Sequence, residues 1–268
     1  MKPYYQGDGI TIYHADCREV LPELADDSVD AFVMDPPYGH SNQSGDFQEK
    51  WKQLRGLRSM RPIENDDPDG FRSVIGDVLY HAARVLNPEA SICVCFTSGG
   101  GPSPTFCWLA ERMDEGGMEY WHAVAWDKTL GGPSMGYYYR RNFELVLIGR
   151  RTGSRVLWAK SSRRMGGAHP GKRKQGEAIG NVMYDRPVPP ARRRHPNEKP
   201  LSLLARFLRI HLRRGQLVID PFMGVGTTLR AAKIYGIEAI GIELDERYCE
   251  IAAKLIDSQE CLQLSNNP

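Results

Sequence analysis

Little in these 268 residues points to a membrane or a metal. The longest uninterrupted apolar runs are about six residues, far short of the roughly 20 that cross a bilayer, and Met1 to Gln6 form no apolar leader. Cysteine is sparse, at 17, 93, 95, 107, 249 and 261, with no CxxC and no histidine pair at ligand spacing. That argues against a zinc site and against a disulfide framework, so the thiols are expected to be reduced packing residues. No internal repeat is evident. The expectation is a soluble, cytoplasmic, metal-free protein, long enough for one sizeable α/β domain with a large insertion, or one domain plus a small second one.

Net charge is also nearly absent, at +2, but it is unevenly spread. Residues 140–194 hold fifteen Lys and Arg against Glu144, Glu177 and Asp185, a local +12 that leaves −10 for the rest. A basic segment on an acidic body suits a polyanion, because each cation set against a phosphate releases condensed counterions. A solvated basic loop is the plainer alternative.

Short apolar runs rich in β-branched residues recur near 10–14, 30–34, 91–96, 119–126, 143–148, 217–220 and 238–242, and predict seven strands. Between several of them lie helical patterns. Phe71, Val74, Ile75, Val78, Leu79, Ala82 and Val85-Leu86 keep to one face, as do Leu201, Leu204, Leu208 and Leu212 after Pro200, which suits a first helical turn. Alternating strands and helices imply a mostly parallel sheet covered on both faces, with its ligand site beyond the carboxyl ends of the strands. Residues 40–69, polar and rich in Gly, Asn and Asp, read as a mobile lid. Residues 150–197, basic and carrying Gly166-Gly167 and Pro187, Pro189 and Pro190, read as a partner-reading insertion rather than core.

The chemistry concentrates at strand ends. Asp35-Pro36-Pro37-Tyr38 follows the run 30–34, where two prolines stiffen the loop and remove N–H donors. An exocyclic base amine is a poor nucleophile. A carboxylate (Asp35) and a carbonyl (Pro36) that accept its two N–H hydrogens push it towards tetrahedral geometry, and the Tyr38 ring offers a stacking face worth ~1–3 kcal/mol. Such a base must first be flipped from the duplex. An ordinary strand-ending turn is the bland alternative.

The second element is Leu217-Val218-Ile219-Asp220-Pro221-Phe222-Met223-Gly224-Val225-Gly226-Thr227-Thr228, a strand, a glycine-bearing turn and a helix start. Its glycines permit close approach to a ligand. Asp220 can take the ammonium of a methionine moiety, and Glu243, ending the next strand, can accept two ribose hydroxyls. The turn reads GxGTT rather than GxGxxG, and an acidic strand end would repel a pyrophosphate, so S-adenosylmethionine fits better than a nicotinamide cofactor. A plain tight turn and a surface acid are the alternatives for the glycines and for Glu243.

The order of these two motifs resembles the β class of amino-methylating DNA methyltransferases, in which DPPY precedes FxGxG. The resemblance covers nearly the whole chain: Asp35 to Tyr38 match the catalytic motif, Asp220 to Thr228 the cofactor motif, and His195-Pro196-Asn197-Glu198-Lys199-Pro200 the segment ahead of it. It implies a Rossmann-like, S-adenosylmethionine-dependent methyltransferase fold with circularly permuted motif order. Residues 1–149 would be the catalytic part, 150–197 a basic target-recognition insertion and 198–268 the cofactor-binding part. It further implies that Lys199 lines the methionine pocket and that Asp16, beside Cys17, hydrogen-bonds the cofactor adenine. Trp126-Asp127-Lys128 and Asn142-Phe143-Glu144 would flank a hairpin at the sheet edge. A helix-start lysine and a turn aspartate are the bland readings of Lys199 and Asp16. Where the family usually has histidine before the glutamate, this chain has Phe143, and no accessory domain follows the last helix. The family's dimer and its sequence preference are therefore not carried over; a homodimer and a companion restriction nuclease both stay open.

The implied activity is site-specific methylation of adenine N6 in double-stranded DNA, in the cytoplasm and on the nucleoid when DNA is bound. Arg163, Arg164, Lys172, Arg173 and Lys174 suit phosphates or guanine edges, and Tyr137-Tyr138-Tyr139-Arg140-Arg141, which interleaves aromatics with charge, suits either stacking on extruded bases or a half-buried strand start. N4-cytosine methylation is the near rival, disfavoured because aspartate leads the catalytic motif. A catalytically idle nucleic-acid-binding protein and an oxidoreductase are the rivals of other classes. The first is hard to square with intact Asp35, Tyr38, Gly224, Gly226 and Glu243, and the second leaves DPPY unexplained.

Overall fold

The computed structural model describes residues 1–37, 68–89, 91–97, 105–129, 142–155 and 180–258. Nine strands form one sheet: β1 (Tyr5–Gly7), β2 (Ile10–His14), β3 (Ala31–Met34), β4 (Ile92–Phe96), β5 (Met118–Asp127), β6 (Phe143–Arg151), β7 (Val182–Tyr184), β8 (Leu217–Asp220) and β9 (Glu238–Glu243). The helices are α1 (Cys17–Val20), α2 (Pro68–Val85), α3 (Thr105–Glu115), α4 (Leu201–His211), α5 (Thr227–Tyr235) and α6 (Glu246–Asp257).

The strand order is β1-β2-β9-β8-β3-β4-β6-β5-β7. Pairings from β2 through β4 are parallel, β5 pairs parallel with β7, and β1–β2, β4–β6 and β5–β6 are antiparallel, so the sheet is mixed. The central strands β3 and β4 are buried along their whole length, as unbroken apolar runs in a doubly covered sheet should be. Their side chains alternate between two cores. Ala31 and Val33 join Leu203, Phe207, Leu229 and Ala252 under α4, α5 and α6. Phe32 and Met34 join Val74, Val78 and Leu109 under α2 and α3. The apolar stripe from Phe71 to Leu86 is buried throughout, and Leu204, Leu208 and Leu212 are buried likewise.

Four expectations need correction. Among the described residues the sheet has nine strands, not seven: β1 and β7 are three-residue pieces with too few residues to show a period of two. The hairpin β5–β6 is not outermost, because β7 pairs with β5 beyond it. Segment 150–197 is not wholly outside the core, since Arg150 and Arg151 finish β6 and Met183 of β7 is buried. Pro200 caps α4 rather than entering it, with extended backbone at φ −61° and ψ 134°. Of the span 40–69, only Pro68 and Asp69 fall within the described residues, as the start of α2.

Cys17, Cys93, Cys95 and Cys249 are buried free thiols, and burial pushes those of Cys17, Cys93 and Cys249 up to about 12; Cys107 is exposed. Among the described residues no helix is long and apolar enough to cross a membrane, and no cluster of His, Cys, Asp and Glu could hold a metal.

Candidate active site

Strands β2, β9, β8 and β3 are neighbours and mutually parallel, so their carboxyl ends share one rim. Each delivers an acid there: Asp16 two residues after β2, Asp35 directly after β3, Asp220 closing β8 and Glu243 closing β9. Together with Pro36, Pro37, Phe222 and Gly224 they line a cavity of about 560 Å³. The sheet thus gathers four carboxylates that the chain spreads over most of its length.

Asp220 is buried and takes hydrogen bonds from the Thr228 hydroxyl (2.5 Å) and the Phe222 N–H (3.1 Å). Burial pushes its carboxyl up to about 7, the nearby Asp35 and Glu243 adding to the rise and the two hydrogen bonds opposing it. Glu243 accepts the Gly224 N–H at Oε2 and the Asp245 N–H at Oε1, both at 2.9 Å. It ties the two turns that frame the cavity, and burial again raises its pKa. Gly224 and Gly226 both have positive φ, +52° and +74°. The close approach expected at the glycines proves, at Gly226, to be to another helix: a Cβ there would lie 2.9 Å from that of Ala252 on α6. Thr227 opens α5 and lines the cavity.

Lys199, 8 % exposed, points its ammonium at Asp35 Oδ2 (2.6 Å) and rests over the Phe96 ring at 5.2 Å. Among the described residues a second carboxylate beside it is Glu144, whose Oε2 lies 3.8 Å away. Glu144 Oε1 in turn meets Lys128 Nζ at 2.5 Å. Opposite charges therefore alternate from Asp35 through Lys199 and Glu144 to Lys128.

Asp16 caps α1, accepting the Arg18 N–H at 2.9 Å, and pairs with the Arg18 guanidinium, which holds its carboxyl below the usual range. Cys17 lines the same end of the cavity. His195 is a cavity residue that sequence reasoning quoted but gave no role. It packs edge-on against Tyr248 at 4.7 Å and accepts the Asn197 N–H at Nδ1. Burial, with Lys199 and Arg247 nearby, pushes its pKa down to about 4, so the ring is neutral at pH 7. Thr228, Glu144 and Tyr248 were likewise missed as site residues. Thr228 stands inside the glycine motif and was within reach; Glu144 and Tyr248 carry no spacing signal. The structure thus gathers Asp16, Cys17, Asp35, Pro36, Pro37, Lys199, Asp220, Phe222, Gly224, Thr227 and Glu243 around one cavity. Gly226 sits just behind them as the N-cap of α5. Tyr38, Arg140, Arg141, Arg163, Arg164, Lys172, Arg173 and Lys174 lie outside the described residues.

The chain is similar to known proteins. The chain is 23% identical to the Type II methyltransferase M2.DpnII of Streptococcus pneumoniae, over 96% of this chain and 93% of that one. To M2.MboI of Moraxella bovis it is again 23% identical, over 95% and 90%. The crystal structure of an M1.HpyAVI–SAM complex superposes with a TM-score of 0.65 at 22% identity, covering 93% of this chain and all of that one. The PvuII DNA methyltransferase (cytosine-N4-specific) gives 0.71 at 16% identity, over 99% and 94%. These structures share the fold. The family described as DNA methylase matches residues 29–254, most of the chain, and to that DNA methylase family this protein belongs.

Proposed function

We propose that this protein is a site-specific DNA methyltransferase that transfers the methyl group of S-adenosylmethionine to the N6 amino group of adenine in duplex DNA. One observation carries the reading: Asp35, leading the Asp-Pro-Pro segment, opens onto the same cavity as Asp220 and Glu243. The cavity fits the cofactor, because four rim carboxylates favour a ligand bearing an ammonium and a sulfonium and disfavour a pyrophosphate. When bound, S-adenosylmethionine supplies an electrophilic methyl group.

This chain's residues do the remainder by positioning. Asp220 receives the amino-acid ammonium, Glu243 the ribose hydroxyls and Asp16 the adenine edge. Asp35 and the Pro36 carbonyl accept the two hydrogens of the flipped target amine, so that its lone pair faces the methyl. No strong base is needed before attack, since the alkylated nitrogen is acidic and passes its proton to Asp35 or to solvent. Tyr38 stacks on the extruded base, and the cationic residues of segment 140–194 hold the DNA backbone. The motif order is read as circularly permuted, a reading that β3 preceding β8 in the chain supports. Leading the segment with aspartate favours adenine, as the β-class resemblance implies.

The test is incubation with methyl-labelled S-adenosylmethionine and duplex DNA of mixed sequence, followed by digestion to nucleosides and mass identification. N6-methyladenosine as its deoxy form is expected. N4-methyldeoxycytidine would overturn the choice of base, and cofactor binding without label transfer would overturn the activity on duplex DNA.

A further inference from the structure

We infer that Glu144 is a positioning residue for the transfer step, holding Lys199 and, through it, the carboxylate of Asp35. The inference rests on the proposed role of Asp35 as acceptor of the target amine. Glu144 is the second residue of β6, on the strand that pairs with β4, and β4 ends at Phe96 beneath the Lys199 ammonium. Its two oxygens face different lysines. Oε1 is engaged by Lys128 at 2.5 Å, whereas Oε2 lies 3.8 Å from Lys199, shut off from solvent and with no hydrogen-bond partner among the described residues. A carboxylate oxygen left in that condition is costly, and its retention calls for a compensating interaction. Lys199 supplies one: an ammonium carries three donors, and this one stands between two carboxylates, at 2.6 Å from Asp35 and 3.8 Å from Glu144.

The arrangement has a use in the reaction. Asp35 Oδ2 accepts from Lys199 in the structure, and a target amine must share that carboxylate. A shift of about an ångström, small against the reach of a lysine side chain, brings Lys199 into hydrogen-bond range of Glu144 Oε2. Glu144 is thus the second acceptor to which Lys199 leans as the amine arrives, and it keeps the lysine from swinging away and carrying the Asp35 carboxylate out of line.

Single-turnover methylation of duplex DNA, with cofactor affinity measured separately by calorimetry, tests this in four proteins: wild type, Glu144→Gln, Lys199→Met and the double variant. Glu144→Gln is expected to slow transfer about ten- to hundred-fold, the scale of a small misplacement of reacting groups, with cofactor affinity held within about two-fold. Glu144→Asp, which keeps the charge, recovers most of the rate. In the Lys199→Met background Glu144→Gln adds no further loss, because the two act as one unit. A wild-type rate in Glu144→Gln, or the same loss in both backgrounds, overturns the inference. Should Glu144→Gln not fold, Lys128→Met unties the other oxygen and reads the same coupling: slower transfer at unchanged cofactor affinity supports it, and a wild-type rate overturns it. Asp35→Asn run alongside separates the two levels. If that variant still turns over, the role of Asp35 falls and this inference with it; if it is dead while Glu144→Gln is normal, only the role of Glu144 falls.

Discussion

Lys199 Nζ and Asp35 Oδ2 lie 2.6 Å apart across 164 positions of chain. The strand β3 brings one to the rim and the residue just ahead of the α4 cap is the other, so the proposed catalytic carboxylate is paired with a residue far along the chain. Asp35→Ala is expected to lower turnover at least about a thousand-fold, the cost of losing a charge-bearing acceptor at a reacting atom. Cofactor affinity should change little, since Asp220 and Glu243 remain. Label transfer and cofactor titration on one preparation check this, and residual activity near wild type would exclude the mechanism.

The proposed contact between Asp220 and the cofactor ammonium would make binding depend on pH. With its carboxyl raised to about 7, the group is mostly protonated at pH 6 in the empty protein, whereas an ammonium ligand prefers it ionised. Binding therefore releases a proton. Affinity should rise by up to about ten-fold per pH unit below 7 and level off above it. Calorimetric titrations at pH 6, 7 and 8 in buffers of different ionisation enthalpy would show both effects. A flat profile would mean that Asp220 is not the ammonium's partner.

His195 contributes to stability with the opposite sense of protonation. Its pKa falls from 6.5 to about 4 on folding, so above pH 6.5 neither state is charged and the full stability is present. As pH drops from 6.5 towards 4 the unfolded chain binds a proton that the folded one refuses, at a cost of about 3 kcal/mol in all. Asp220 changes in the other direction over part of this range, so the measurement is a difference: denaturant stability of wild type and His195→Phe, taken at pH 7 and pH 4.5. The gap between them should narrow or reverse at the lower pH. A constant gap would show that the ring is protonated in the folded protein.

Gly226→Ala should destabilise the fold by about 2–4 kcal/mol, combining an unfavourable left-handed φ with overpacking against Ala252. Ala252→Gly in the same chain relieves the second component alone. Urea unfolding of the two variants separates them, and a double variant no more stable than Gly226→Ala would refute the assigned contact.

The parts of the site that were legible in the sequence share one property. Asp35, Asp220 and Glu243 each terminate an apolar run, next to proline or shortly before a helix, so the strand end and its acid could be read together without knowing the fold. The pairing of Lys199 with Asp35 and Glu144 was not legible, because it depends on which strands lie side by side. The order β8-β3-β4-β6 is set by packing of whole faces rather than by any local pattern. Gly226 shows a subtler limit. Its need for a missing side chain was visible, but helix α6, which occupies the space, lies more than twenty positions on. The edge strands β1 and β7 escaped for want of length.

The described residues on either side of 156–179 are both fastened to the sheet. Ser154 shares a hydrogen bond with Ser91 at 2.7 Å beside β4, and the Asn181 carbonyl accepts the Ala125 N–H of β5 at 2.8 Å. The sheet is thus anchored by its own hydrogen bonds at both borders of that span. Under the proposed function, changes of composition within the span are expected to leave the strands carrying Asp35, Asp220 and Glu243 in register. A graft of this span between relatives is then a route to altered DNA contact with the proposed transfer chemistry kept.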